Sequence, residues 1–171
     1  MHPLQPKHPA PVPQPGASGG RARTIGRRLA GIVWALPLTL VGLLLALPVL
    51  ASGGSIAVTP LLRVGGMRRR VTHIRALLVH GAVADFLLAH HPFGAMHAMA
   101  IGHIVIADRN ATSRRLLVHE LTHVAQAARW GIVFPLAYLT ASAWALASGG
   151  DVYWDNVFEV AARTAEQHAD A

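Results

Sequence analysis

Two long apolar stretches without charge dominate the hydropathy pattern of the chain. Residues 29–50 contain no charged side chain, and at about 1.5 Å per helical residue they match the roughly 30 Å hydrocarbon layer of a bilayer. We predict one or more membrane segments within 29–64, with a cleaved secretory signal as the alternative for this stretch. Residues 131–148 are also uncharged, and their length suits a second membrane span, a shallow insertion or a core helix.

Shorter periodic patterns predict a mixed domain over residues 65–171, which contains the second apolar segment. Runs of apolar and alternating residues are typical of strands, and these lie at 76–79 and 101–107. Cap residues and helix-ending glycines predict helices at about 82–90, 113–130 and 157–170. The predicted fold class is therefore α+β and mainly helical, with a short strand before the helix at 113–130.

Composition and charge favour a lipid partner. Only 13% of the residues are charged and 53% are apolar, against roughly 25% charged in an ordinary soluble domain. Residues 1–28, rich in proline, glycine and arginine, predict a disordered basic arm. The net charge is +7, and the arginines cluster at 21–28 and 63–75, on both sides of the first apolar stretch, which favours anionic lipid headgroups. No nucleic-acid motif accompanies them, so we expect no nucleic-acid partner.

Residues 119–123 read HELTH, the most informative motif in the chain. Helix positions i and i+4 share one face, so His119 and His123 can reach one ion, and zinc suits neutral imidazole ligands. Glu120 is placed to act as the general base that activates a metal-bound water. The chain has no cysteine, so further ligands must be imidazole or carboxylate. The alternative is an ordinary helix whose histidines are satisfied by hydrogen bonds.

A third ligand must come from residues downstream of the motif. Glu159, near the start of the last predicted helix, is favoured, and Glu166 and His168 are the next candidates. A structural role also fits Glu159, because Asn156 followed three residues later by a glutamate forms a capping box.

The sequence HELTHVAQ at 119–126, an apolar segment, and DNVFEVAA at 155–162 together resemble the minimal bacterial zinc-metallopeptidase-like domains of the gluzincin type. The likeness extends over residues 100–171. It implies a minimal zincin-like fold with a zinc ion on three ligands and a glutamate base, and the residues at those positions are His119, His123, Glu159 and Glu120. Many gluzincins carry an acidic residue four positions after the glutamate ligand, which orients a histidine, and here that position is Arg163.

These observations predict a membrane-associated, zinc-dependent peptide-bond hydrolase in a membrane of the bacterial inner-membrane type. Its partners would be membrane lipid and a peptide or protein substrate, the latter laid along the strand at 101–107. The alternatives are a non-catalytic zinc-binding membrane module, that is, a degenerate peptidase, and a metal-free membrane interaction protein.

Two further sets of side chains have candidate roles. A tyrosine or histidine is expected to stabilise the oxyanion, and the candidates are Tyr138, Tyr153 and His103. A second metal site at the other histidines is not expected, because they have no regular ligand spacing; these are His90, His91 and His97.

Overall fold

The computed structural model describes residues 26, 29–65, 71–91, 94–110 and 113–169. The predicted basic arm at 1–28 lies outside the described residues, except for Gly26. Its disorder and its lipid contacts therefore stay predictions.

The described chain alternates helices with short strands. Residues 29–34 are helical and lead into the first long helix. The helices are α1 (Leu36–Ala51), α2 (Ala82–Ala89), α3 (Arg114–Trp130), α4 (Phe134–Ala147) and α5 (Val157–Gln167). The strands are β1 (Ser55–Val58), β2 (Leu62–Gly65), β3 (Val71–Ile74), β4 (Leu77–His80), β5 (Ala98–Ile101) and β6 (Ile104–Ala107). The predicted α+β, mainly helical class is confirmed.

The main sheet has the strand order β1-β4-β6-β5, and β2 and β3 form a separate antiparallel hairpin. Strands β4 and β6 are parallel, with α2 in the crossover between them, whereas β1 and β5 pair antiparallel with their neighbours. The single strand predicted at 101–107 is instead the end of β5, a turn and β6. The turn requires glycine, because Gly102 has φ of +61° and a Cβ there would lie 2.3 Å from the backbone nitrogen of Thr39 in α1.

The sheet is covered on both faces by helices. Alternate residues of β6 point to opposite sides, so that Val105 packs in one buried cluster and Ile104 in the other. The first cluster holds the buried side chains of α3, including Leu121, and the second holds those of α1 and α2, including Val49 and Leu88. The helix α5 packs against α3 and also contacts β2, and its Ala165 belongs to the first cluster.

The two apolar helices are unequally covered by the domain. Helix α1 is buried along Gly42, Ala46 and Val49, while the rest of its surface exposes several leucines and Val41. Helix α4 follows α3 after a short 3-10 turn at Gly131–Val133, and among its residues only Ala145 is buried. Within the predicted membrane segment 29–64 the helical part ends with α1, and β1 and β2 pair with strands of the domain.

One continuous helical stretch among the described residues, Arg114–Ala147, is long and apolar enough to cross a membrane by length and composition. Its first part is α3, whose apolar face is buried against the sheet. The exposed large apolar side chains of this stretch therefore lie in its second part, from Trp130 through the 3-10 turn and along α4.

Candidate metal centre

Helix α3 presents both motif histidines on one buried face. The helix begins where the Ser113 hydroxyl accepts a hydrogen bond from the amide of Leu116 at 3.2 Å. One turn separates His119 from His123, and their Nε2 atoms lie 3.2 Å apart. Both histidines are 8% exposed, so their imidazoles converge in a site largely shielded from water.

Glu159 reaches these histidines from the first turn of α5. Its Oε1 lies 3.2 Å from His123 Nε2 and its Oε2 lies 3.3 Å from His119 Nε2. Asn156 caps the helix by accepting from the Phe158 amide at 2.9 Å. The Glu159 carboxylate thus faces the imidazoles rather than closing a capping box, because its oxygens are directed toward α3.

The three side chains have the spacing of ligands around one ion. Their candidate ligand atoms all lie within 4.8 Å of one another. Two nitrogens bound at about 2.0–2.1 Å to a tetrahedral ion stand about 3.3 Å apart, which agrees with the separations of 3.2 Å and 3.3 Å above. Among the described residues, none forms a well-aligned hydrogen bond with the buried Oε2 of Glu159. A bound cation would stabilise this oxygen. His119, His123 and Glu159 are therefore close enough to hold a metal ion.

The charge state of Glu159 suits a ligand. Burial alone would raise the pKa of this carboxyl, but its polar contacts with His119 and His123 outweigh burial and hold the pKa well below the usual range. The carboxylate therefore stays anionic at neutral pH.

The other ring nitrogen of each histidine has a partner that fixes the ring. His123 Nδ1 lies 2.8 Å from Gln126 Oε1, and the Gln126 amide donates to the Phe158 carbonyl at 3.0 Å. His119 Nδ1 lies 3.4 Å from Glu166 Oε2. These contacts turn both Nε2 atoms toward Glu159, as polar groups behind ligand histidines do in metal sites.

The candidate third ligands therefore have different positions. Glu159 joins the cluster, and Glu166 stands behind His119, two turns further along α5. His168 is exposed and its ring contacts the Thr164 carbonyl at 2.7 Å. Arg163 stacks over the ring of Trp154 at 4.6 Å and donates to the Trp154 carbonyl. Arg163 is therefore a departure from the gluzincin pattern, and the carboxylate beside His119 is that of Glu166, three residues further along the chain.

Glu120 is buried beside the two histidines and next to the sheet. Burial raises the pKa of its carboxyl, while the histidines and a backbone hydrogen bond with Ala100 act in the opposite direction. Ala100 belongs to β5, which is the edge strand on this side of the sheet. The predicted substrate strand included β6, but β6 is paired on both sides, and so β5 is the strand whose edge adjoins Glu120.

The three candidates for stabilising the oxyanion lie in different parts of the fold. Tyr138 of α4 donates to Glu159 Oε1 at 2.8 Å. Tyr153 also contacts Glu159, and burial together with this carboxylate raises the pKa of Tyr153 to about 12, so its hydroxyl remains a donor. His103 lies in the turn between β5 and β6, and its Nδ1 is instead 3.2 Å from the hydroxyl of Thr39 in α1. The two tyrosines, but not His103, are therefore in reach of the cluster.

The remaining histidines have local partners. His90 contacts the Phe86 carbonyl at 2.8 Å, and His97 pairs with Asp108 at 2.7 Å. Neither belongs to a three-ligand group among the described residues.

The roles of Gln126 and Glu166 were not found from the sequence. Gln126 follows His123 by three residues on the same helix face, so its spacing was a usable signal. The contact of Glu166 with His119 depends on how α5 packs against α3, and no local pattern reports that.

Comparisons with protein families, curated proteins and solved structures gave no match to this chain. The likeness to gluzincin-type domains therefore depends on the motif residues themselves.

We expect the wild-type chain to bind one divalent metal ion, with zinc as the test ion, and alanine at His119, His123 or Glu159 to weaken binding by about tenfold or more by removing a ligand. The measurement is zinc content by elemental analysis after dialysis, with affinity from chelator competition. The control is His168→Ala, which removes an exposed imidazole outside the cluster. Unchanged zinc affinity in all three ligand variants would exclude this centre.

We expect Glu166→Ala to retain zinc but to bind it roughly 10–100-fold more weakly, because His119 loses the carboxylate that orients it. Competition with a chelator measures the change, and Gln167→Ala, on the next residue of α5, is the matched control. Equal affinities for the two variants would show that Glu166 does not act on the ligand.

Proposed function

We propose that this chain is a membrane-associated, zinc-dependent hydrolase of peptide bonds. The observation that carries the proposal is the buried carboxyl of Glu120, which adjoins both the three-residue cluster and the edge strand β5. A purely structural metal site has no need of a fourth titratable group at this position.

Zinc is the ion that the donor set favours. Two neutral imidazoles and a carboxylate leave one tetrahedral position open, as in catalytic zinc sites. A bound zinc ion supplies a Lewis acid that polarises a carbonyl and lowers the pKa of water.

The reaction assigns a proton transfer to Glu120. In hydrolysis the oxygen of water bonds to the carbonyl carbon, the C–N bond breaks, and one water proton ends on the amine nitrogen. Glu120 accepts that proton and delivers it to the leaving nitrogen, a role that its position next to the ligand His119 on the buried side of α3 supports. Tyr138 and Tyr153 are hydroxyl donors near Glu159 that can stabilise the carbonyl oxygen as it becomes negative.

Strand β5 supports an extended peptide as the substrate. It ends the sheet on the side of Glu120, so its outer edge can pair with an added strand. The backbone of Ala100 lies close enough to the Glu120 carboxyl to influence its pKa, and α3 packs against β5, so the proposed base lies beside that strand. A peptide added there would pass its backbone close to the cluster.

Membrane association is supported by which apolar residues are exposed. Helices α1 and α4 contain no charged residue, and both expose several large apolar side chains. The chain has four tryptophans and all are exposed, namely Trp34, Trp130, Trp144 and Trp154. Tryptophan is enriched at membrane–water interfaces, and the arginine-rich sequence favours anionic lipid. The bacterial inner membrane is the proposed location.

A non-catalytic zinc module is the second candidate. The observation in its favour is burial, because Glu120, Glu159 and both histidines are at most 8% exposed. A structural site is closed in this way, and a catalytic one needs a path for substrate.

We expect Glu120→Gln to retain full zinc binding and to lower peptide hydrolysis by about 10²–10⁴-fold, because the amide cannot accept the proton. A mixed peptide library analysed by mass spectrometry measures cleavage. The control is Asp85→Asn, which also converts a carboxylate to an amide. Asp85 lies in α2 and pairs with Arg109, outside the three-residue cluster. Equal cleavage by Glu120→Gln and wild type would exclude the mechanism, and no cleavage by zinc-loaded wild type would favour the structural module.

We expect tryptophan fluorescence of the reconstituted full chain to be quenched by lipids brominated in their acyl chains. Trp144→Phe should remove more of the quenched emission than Trp130→Phe, because Trp144 is 75% exposed and Trp130 is 37% exposed and packs against Phe158. Emission that brominated lipid does not quench would contradict lipid contact at α4.

A further inference from the structure

The exposed apolar surface of α4 continues into the loop that borders the metal cluster. The Asn156 side chain donates to the Tyr138 carbonyl at 3.1 Å and to the Ser142 hydroxyl at 2.8 Å, which ties the loop to α4. Three consecutive large side chains of this loop are exposed, and they are Val152, Tyr153 and Trp154. The Arg163 guanidinium, on the helix that carries Glu159, lies 5.7 Å from the ring of Tyr153 and 4.6 Å from that of Trp154. The apolar surface therefore extends to this helix and to the rim of the cluster.

The composition of this rim fits the headgroup region of a bilayer. Tyr153 and Trp154 are amphipathic aromatic side chains of the kind found at that level. Two acidic residues lie in this loop. Asp151 Oδ1 accepts from the amides of Tyr153 and Trp154 at 2.8 Å and 2.7 Å, and Asp155 Oδ2 accepts from the amide of Asp151 at 2.7 Å. Both charges are thus stabilised by hydrogen bonds within the loop.

The edge strand beside Glu120 leads to the other apolar helix. A Cβ on Gly42 of α1 would lie 2.6 Å from the carbonyl oxygen of Ile101, the last residue of β5. The opposite side of α1 exposes Leu40, Leu44 and Leu47. A peptide on β5 would therefore extend between two elements whose outer surfaces are apolar.

We propose that the substrate is a membrane-inserted peptide segment, cleaved where it leaves the hydrocarbon layer. This inference depends on the proposed hydrolase function. Insertion would confine the peptide to the same bilayer that the exposed residues of α1, α4 and the loop at Val152–Trp154 would contact, and so would raise its effective concentration near the cluster. A free polar peptide gains no such concentration, and it meets a rim that is largely apolar.

The test uses the full chain in vesicles of phosphatidylcholine and phosphatidylglycerol, loaded with zinc. One substrate set is a randomised peptide segment joined to an apolar span of about 20 residues, and the other is the same segment without the span. We expect the inserted set to be cleaved at least tenfold faster. Trp154→Ser should slow cleavage of the inserted set severalfold, with zinc content unchanged as the check on folding. Val58→Ser, at an exposed site on β1 at the far edge of the sheet, should not.

The possible results distinguish failure of the substrate proposal from failure of the hydrolase proposal. Equal cleavage of the two sets, both above the Glu120→Gln background, would overturn the membrane-inserted substrate and leave the hydrolase intact. Absence of cleavage of either set above that background would overturn both. If the chain instead dissociated from the vesicles and self-associated through α4, the partner of the apolar surface would be a second copy of the chain. This result also would overturn the proposal.

Discussion

The packing of α3 against α5 determines whether the candidate centre exists. Small side chains on α5, Ala162 and Ala165, are buried, which lets the two helices approach closely. Apolar residues of α3 such as Leu121 fill the other side against the sheet, and burial of one such side chain contributes about 1.5–3 kcal/mol. This packing offsets the cost of gathering two imidazoles and two carboxyls in one shielded volume, and without it Glu159 would not reach His119 or His123.

The same packing gives two neighbouring glutamates different chemistry. Glu159 has a lowered pKa because imidazoles contact its oxygens, whereas burial raises the pKa of Glu120. Environments that separate the pKa values of two carboxyls in one site distinguish an anionic role from a proton-accepting role. The proposed roles of Glu159 as ligand and Glu120 as base are thus consistent with the positions of the two residues as well as with the order of residues in the motif. A divalent cation would also balance two carboxylates that otherwise repel each other.

Local patterns predicted the parts of this site that a single helix determines. The spacing of His119 and His123 and the helix at Arg114–Trp130 follow from period and capping, and the structure has both. The strands between residues 55 and 74 were not predicted, since each has four residues and β1 is exposed throughout, without alternation. The edge position of β5 depends on the order of the sheet, and that order is a long-range property which the turn at Gly102 only partly signals.

Tyr138 links the candidate metal centre to the exposed apolar surface of α4. Its hydroxyl donates to Glu159, while the helix that carries it exposes Leu136, Leu139 and Trp144. Asn156 holds the same helix to the start of α5, so a shift of α4 would change both the hydroxyl donor and the cap of the helix that bears Glu159. A bilayer that fixes α4 would therefore also fix these two contacts. Any lipid contact at α4 would, for this reason, be coupled to the geometry of the candidate metal centre.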